Sequence, residues 1–426
     1  MGPVIRQLVN SSAFKQILHL SVSRLVGQGA LFASTLLCAR FYGPDSFGIA
    51  GLVTSLMTLT AMVISLRFES LAIVAKSHLA RDAYIGLAYF SSIIFVCIIY
   101  VFIFVFDRVY ASVDYIYYTI PIGAFLITLI QFILPAQSAN GYHFKSVSWA
   151  TQASAVATAL MQVAFGLTHP TSSSLVLSRI VGPAIGLTVA SRLIADGLFG
   201  ARKLTLANTR RLSKLATKEI LYGIPASLLS VISFQSPIYI FSITNRTGHA
   251  GQYWMAFNIV FVPYMIISAS IRPIFLRSVA SDRSATRVVQ IVNRATGIAA
   301  LVGLAVFCVA VLASIEAQQF LSDSGWSAVP LYASSLSLLM VGLIIQTPIS
   351  AASSTLNLQA ANFWQNLIHT LVRPTAFYLT IIFSGSDLYG VSAFSISGLI
   401  ICLVYTYHSL RTLSIRAGGT PGTIGK

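Results

Sequence analysis

Apolar residues along the chain gather into runs of about twenty, the length an α-helix needs to cross the hydrocarbon core of a bilayer. The first six runs cover Phe14–Arg40, Asp45–Leu66, Tyr84–Phe106, Ile116–Ala139, Val147–Leu167 and Leu175–Phe199. Six more cover Ile220–Ile243, Tyr253–Leu276, Val288–Ala313, Ser327–Ser350, Phe363–Phe383 and Leu388–Leu410. The pattern predicts twelve transmembrane helices joined by short polar connections, the longest being Gly200–Glu219. No connection is long enough to hold a separate extramembrane domain. The first run is too long for a signal-peptide core and carries Arg24, so it is read as an uncleaved span.

Composition agrees with this pattern. Of the 426 residues, 56% are hydrophobic and 9% charged, whereas a soluble domain carries roughly 25% charged residues. The basic residues are distributed unevenly between alternate connections. Arg6, Lys15, Arg67, Lys76, Arg81, Lys145, Arg202 to Lys218, Arg277, Arg283, Arg287, Arg411, Arg416 and Lys426 fall on one side, and only Arg40, Arg108 and Arg246 on the other. Basic residues collect in cytoplasmic loops, so both termini are expected in the cytoplasm. The net charge of +16 follows from that asymmetry and from attraction to anionic lipid headgroups. It requires no nucleic-acid partner. Cys38, Cys97, Cys308 and Cys402 show neither metal spacing nor a disulfide framework, and neither a metal nor a cofactor is expected.

The basic stretch near the midpoint divides the chain into residues 1–213 and 214–426, each with six spans. Two faint correspondences suggest a repeat. Leu134-Pro135-Ala136-Gln137 with Gln152 matches Thr347-Pro348-Ile349-Ser350 with Gln365, and the turn Arg40–Gly48 is echoed by Asn245–Tyr253. The expected architecture is all-α, with two six-helix bundles. Prolines within the spans, Pro121, Pro183, Pro225, Pro237, Pro263, Pro273, Pro348 and Pro374, are candidate bends, or residues that membrane helices simply tolerate.

The polar residues inside the spans carry the candidate chemistry. Arg24 in the first span and Arg373 in the eleventh lie deep, at a cost of about 2.5–3.5 kcal/mol each on the insertion scale unless a wet cavity or a partner receives them. Arg272 lies four residues before Leu276 and competes with a snorkelling explanation. Arg179 is placed near the outer end of its span, at the interface. All Asp and Glu fall in loops or near span ends, Asp196 and Glu69 coming closest to exceptions. An organic cation or a transported proton needs a carboxylate at depth, whereas a guanidinium fork matches phosphate oxygens. The expected substrate is therefore an anion. Gln28, Asn258, Gln346 and His369 are candidate lumen residues, with helix-to-helix hydrogen bonding as the alternative role. No enzyme motif is found: histidines lack metal spacing, and there is no phosphate-binding glycine loop or Gly-x-Ser-x-Gly.

Ser23-Arg24-Leu25-Val26-Gly27 in the first span and Ala39-Arg40-Phe41-Tyr42-Gly43-Pro44-Asp45-Ser46-Phe47-Gly48 after it resemble the polysaccharide-transporter family, the O-antigen and exopolysaccharide flippases of the MOP superfamily. Thr247-Gly248, Gly251-Gln252-Tyr253 and Arg272-Pro273-Ile274-Phe275 extend the likeness into the second half. The resemblance implies a MATE-like fold around a central cavity and alternating access. The cargo it implies is an undecaprenyl-diphosphate-linked oligosaccharide, with Arg24 matching the family's basic position. Arg373 is added on grounds of depth alone. The implied partners are the lipid-linked oligosaccharide, the bilayer, and the polymerase and chain-length proteins of the pathway. The competing readings are a multidrug or metabolite antiporter of the MATE branch, which calls for a buried carboxylate, and a membrane glycosyltransferase or polymerase, which calls for a long outer loop.

Overall fold

The computed structural model describes residues 26–75, 77–110, 114–138, 144–193, 221, 223–281, 285–321, 325–351 and 358–419. Among these residues the regular structure is entirely helical. Ten helices are long and apolar enough to cross a membrane, and the shorter apolar helix Val26–Cys38 is the described part of the first span. The eighth span lies within the helix Thr247–Ser281. Each of the twelve predicted runs is thus at least partly a helix, because an apolar segment in lipid must satisfy its backbone groups internally. Several helices outrun the apolar pattern: the third span extends over His78–Tyr110, the ninth over Ala285–Leu321 and the twelfth over Asp387–Gly419.

Two compact units, Met1–Gln235 and Ser236–Lys426, make up the chain. The division expected at 213/214 lies outside the described residues.

In the first unit, span five (Phe144–Thr168) and span six (Ser172–Leu193) form the most extensive pairing. Gly182 and Gly186 make it possible. A Cβ on Gly182 would sit 2.8 Å from the Ser154 carbonyl oxygen, and one on Gly186 2.7 Å from that of Ala150, so only hydrogen at both positions lets the backbones approach. Span two (Pro44–Ile64) packs on span four, where the Thr128 hydroxyl donates to the Ala61 carbonyl at 3.2 Å. Span four is not one uniform helix. Its helix Ile120–Thr128 passes through a π-helical turn, Leu129–Ile133, into Leu134–Ser138. Pro135 offers no N–H to the carbonyl four residues earlier and crowds it, which accounts for the widened turn.

Pro121 and Pro225 stand near helix starts. Each is the second residue of its helix, Ile120–Thr128 and Ile224–Ile243, a position that proline tolerates. Pro183, Pro237, Pro348 and Pro374 do lie inside continuous helices.

Span two ends earlier than predicted. Beyond Ile64 the chain breaks at Ser65–Arg67, then resumes as the short helix Phe68–Val74. Leu66 (φ 49°) and Arg67 (φ 57°) are both left-handed, a conformation costing about 1–2 kcal/mol per residue for side chains other than glycine. The short helix is anchored by Phe68 and Ala72, buried with Tyr84, Ile85 and Ala88 of span three.

In the second unit, span ten (Val329–Ala351) is the hub. Leu336, Leu339, Met340, Leu343 and Ile344 are all buried along it, and it packs against spans eight, nine and twelve. Span nine turns Leu301, Leu304, Val309 and Leu312 outward, as a lipid-facing helix does.

Candidate functional site

Span eleven (Gln359–Ser384) places Gln365, His369, Arg373 and Phe377 at intervals of four, on one helical face. All four are buried, while Trp364, Leu371, Tyr378 and Phe383 on the other faces are exposed. The buried face meets spans ten and twelve through a column of polar groups. Gln365 Nε2 donates to Gln346 Oε1 at 2.5 Å and lies 3.2 Å from His369 Nε2. Cys402 Sγ of span twelve is 3.8 Å from that same imidazole nitrogen.

Arg373 closes the column. Its side chain has no solvent exposure, the largest side chain among the described residues to be so enclosed. The guanidinium carbon lies 4.0 Å from the centroid of the Phe394 ring, where the negative ring face favours a cation. Gly398, one turn on, leaves room for it: a Cβ there would stand 3.2 Å from Arg373 Nε. Tyr253 of span eight and Cys402 of span twelve are neighbours of the guanidinium. The Tyr253 hydroxyl is fully buried and has no hydrogen-bond partner among the described residues. Around this polar centre lies an aromatic shell, with Phe377 5.1 Å from Phe241 and 6.3 Å from Phe394, and Tyr253 6.4 Å from Phe394 between ring centroids. The arrangement keeps a permanent positive charge in a dry setting, bordered by neutral groups that can accept or share its hydrogen bonds.

The first unit has a counterpart. Arg179 lies two turns inside span six, with its Nε withdrawn from solvent and its guanidinium interacting with Cys38 of span one. The interfacial placement expected for it is corrected: the side chain turns inward toward the first span. Nearby hydrogen bonds join spans one and five, where Ser34 Oγ donates to Gln162 Oε1 and the Tyr42 hydroxyl to the Gln162 carbonyl, each at 3.0 Å.

The structure therefore brings Gln346 and His369 into one hydrogen-bonded network through Gln365, with Arg373 one turn further along the same buried face. Asn258 stands apart from it, donating from Nδ2 to the Trp254 carbonyl one turn back at 2.7 Å. Gln28, half-buried, belongs to the first unit. Arg24 lies outside the described residues, as does the side chain of Arg272 on the eighth-span helix. Sequence reasoning missed Tyr253, Phe394, Gly398 and Cys402 as neighbours of Arg373. The local signal was the four-residue spacing of Gln365, His369 and Arg373 within the eleventh span.

The described carboxylates sit toward helix ends. Asp45 is in the first turn of span two, Asp82 near the start of the third-span helix, Asp107 near its end, Glu316 in the last turns of the ninth, and Asp387 at the start of the twelfth. Glu69, on the short helix beyond the span-two break, is buried at 8% exposure.

No family model matches the chain, and no curated protein matches it in sequence. Solved structures do match in fold. An inward-facing multidrug-resistance MATE transporter of the MOP superfamily aligns over 94% of this chain and 96% of its own, with a TM-score of 0.65 and 15% identity. A MATE in complex with MaL6 aligns over 97% and 99%, with a TM-score of 0.64 and 17% identity. A MOP-superfamily transporter from Pyrococcus furiosus, described as having a binding pocket of reversed polarity that suggests a different function, aligns over 97% and 98% with a TM-score of 0.60 and 15% identity. The chain is a multi-pass all-α membrane protein with the fold of the MATE transporters.

Proposed function

We propose that this protein is a carrier rather than an enzyme: a flippase that moves an undecaprenyl-diphosphate-linked oligosaccharide repeat unit across the inner membrane by alternating access. The sign of the charge inside the spans carries the reading. Arg373 is wholly buried, Arg179 turns inward, and the described carboxylates stay near helix ends. A diphosphate gains from planar bidentate donors in a partly dry setting, and the polyprenyl tail can remain in lipid. Arg24 is the first candidate for the headgroup. Arg373 is covered by Phe394 in this conformation, so its part in the cycle requires that cover to lift, and Arg272 completes the basic set. Gln28, Asn258, Gln346 and His369 are the polar groups offered to the sugar or to the arginines. Both termini are placed in the cytoplasm, with the polymerase and chain-length proteins of the pathway as partners.

One observation favours the related reading, a multidrug or metabolite antiporter: Glu69 is a buried carboxylate. Proteoliposomes separate the two. Translocation of a polyprenyl-diphosphate oligosaccharide, abolished by Arg24→Ala and partly retained by Arg24→Lys at equal protein level, is the expected result. Cation-driven efflux of an organic cation, lost in Glu69→Gln, would replace the flippase reading with the antiporter. Full translocation by a well-expressed Arg24→Ala protein would remove Arg24 from the site.

A further inference from the structure

Span nine, the helix Ala285–Leu321, turns one stripe of side chains outward along most of its length. Ile298, Leu301, Val309 and Leu312 stand at helical spacing on that side, and all are exposed. Arg294 and Arg287, one and three turns before Ile298, continue the stripe and are exposed as well. The opposite side is the packed one, with Val288, Val292, Thr296 and Ala299 buried. Arg294 lies six residues inside the apolar run that begins at Val288. A guanidinium on the lipid-facing side of a span is costly unless its stem carries it to polar headgroups.

Span twelve repeats the design at the same end. Its outward residues Ile400, Leu403 and Tyr407 are followed by exposed Arg411. Val288 and Val292 share one buried cluster with Tyr405 and Leu413, so the start of span nine and the end of span twelve lie side by side. Among the described residues the ion pairs belong to Arg81, Arg246 and His249, and none to Arg287, Arg294 or Arg411. The described carboxylates of this unit, Glu316 and Asp387, stand at the opposite ends of the same two helices. Arg287 also falls in the first turn of its helix, where the unsatisfied N–H groups add to the positive potential.

We propose that this end of spans nine and twelve is a docking surface for an anionic phospholipid: Arg287, Arg294 and Arg411 hold its phosphate, and an acyl chain lies along Ile298 and Leu301. Basic surfaces at the cytoplasmic ends of spans collect acidic lipids in this way, and the distribution of basic residues assigns this end to the cytoplasm. The arginines continue outward-facing stripes, so the occupant comes from the surrounding leaflet and needs no passage into the protein interior. The proposal rests on the membrane fold and is independent of the cargo.

Contact quenching beside Arg294 tests it. The full-length protein, with the exposed Cys97 and Cys308 replaced by serine and a fluorophore attached through Ile298→Cys, is reconstituted in phosphatidylcholine vesicles doped with brominated phosphatidylglycerol or brominated phosphatidylcholine. The phosphatidylglycerol should quench at a mole fraction at least about fivefold lower, the scale of one arginine acting on an acidic lipid. Arg287→Gln with Arg294→Gln should abolish that preference. Arg287→Lys with Arg294→Lys should keep most of it, which separates loss of charge from loss of fold. Equal quenching by the two lipids in the parent, or a preference that the glutamine pair leaves unchanged, overturns the proposal. Relief of the quenching by a polyprenyl diphosphate at a lower mole fraction than the phosphatidylglycerol also overturns it, because the surface then belongs to the cargo lipid.

Discussion

Arg373 shows how a buried charge is accommodated residue by residue. Its guanidinium lies on the Phe394 ring and against the bare backbone of Gly398, so the two positions cannot be changed independently. Gly398→Ala should destabilise the protein by about 1–3 kcal/mol through overpacking, because the new Cβ would meet Leu339 Cδ1 at 2.5 Å as well as Arg373. Thermal unfolding in detergent would measure it. In a cycle with Arg373→Ala the two changes should couple by about 0.5 kcal/mol or more; strict additivity would mean that the Gly398 site relaxes without Arg373. Sequence depth was enough to single out Arg373, since it lies ten residues beyond Phe363, the start of its predicted span. Its partners were not legible, because Tyr253, Phe394 and Cys402 come from other spans and nothing local marks them as neighbours.

A second residue-scale tie secures the turn between spans seven and eight. Asp387 pairs with Arg246 and accepts from His249 Nδ1 at 3.2 Å, and the same nitrogen lies 3.2 Å from the Tyr332 hydroxyl. The turn, with left-handed Asn245, is held to the starts of spans ten and twelve. Asp387→Asn removes the charge and keeps the shape. It should cost about 1–2 kcal/mol, the scale of hydrogen bonds to charged groups at a partly exposed site. A circular-dichroism melt within error of the wild type would show that solvent already screens the tie.

At the scale of elements, close packing of spans five and six depends on two positions. Gly186→Val would drive a branched side chain into the Ala150 carbonyl and the Ser154 side chain. The spans must separate, so the yield of folded protein by size-exclusion chromatography should fall sharply, while Gly29→Ala, where a Cβ meets nothing within 4 Å, should leave it unchanged. Hydropathy located every span but not its internal geometry. The π turn at Leu129–Ile133 follows from the proline after it. The break at Ser65–Arg67 has no such local cause: Leu-Arg-Phe is an ordinary helical sequence, and the bonds that Arg67 makes with Gly223 and Ser227 depend on residues more than 150 positions away.

For the whole molecule, the asymmetry of basic residues makes a topological prediction. Alkaline phosphatase fused after Lys214 should be inactive and a cytoplasmic reporter at the same point active; the reverse would invert every span. The Arg246–Asp387 pair and the hydrogen bond from Tyr118 to Asp107 at 3.0 Å each join residues that the charge rule assigns to one and the same face.

The sequence by itself determined the class, the twelve spans and the sign of the charge within them. Each of these is additive along the chain: transfer of an apolar run into lipid, and the cost of a lone arginine there, are set by the residues of one segment. Only the tertiary structure decided what that charge faces. Whether a guanidinium lies on a phenyl ring, beside a thiol or across a helix break depends on which spans pack together, and that is fixed by close approach at positions such as Gly182, Gly186 and Gly398, where the absence of a side chain leaves little trace in a hydropathy profile.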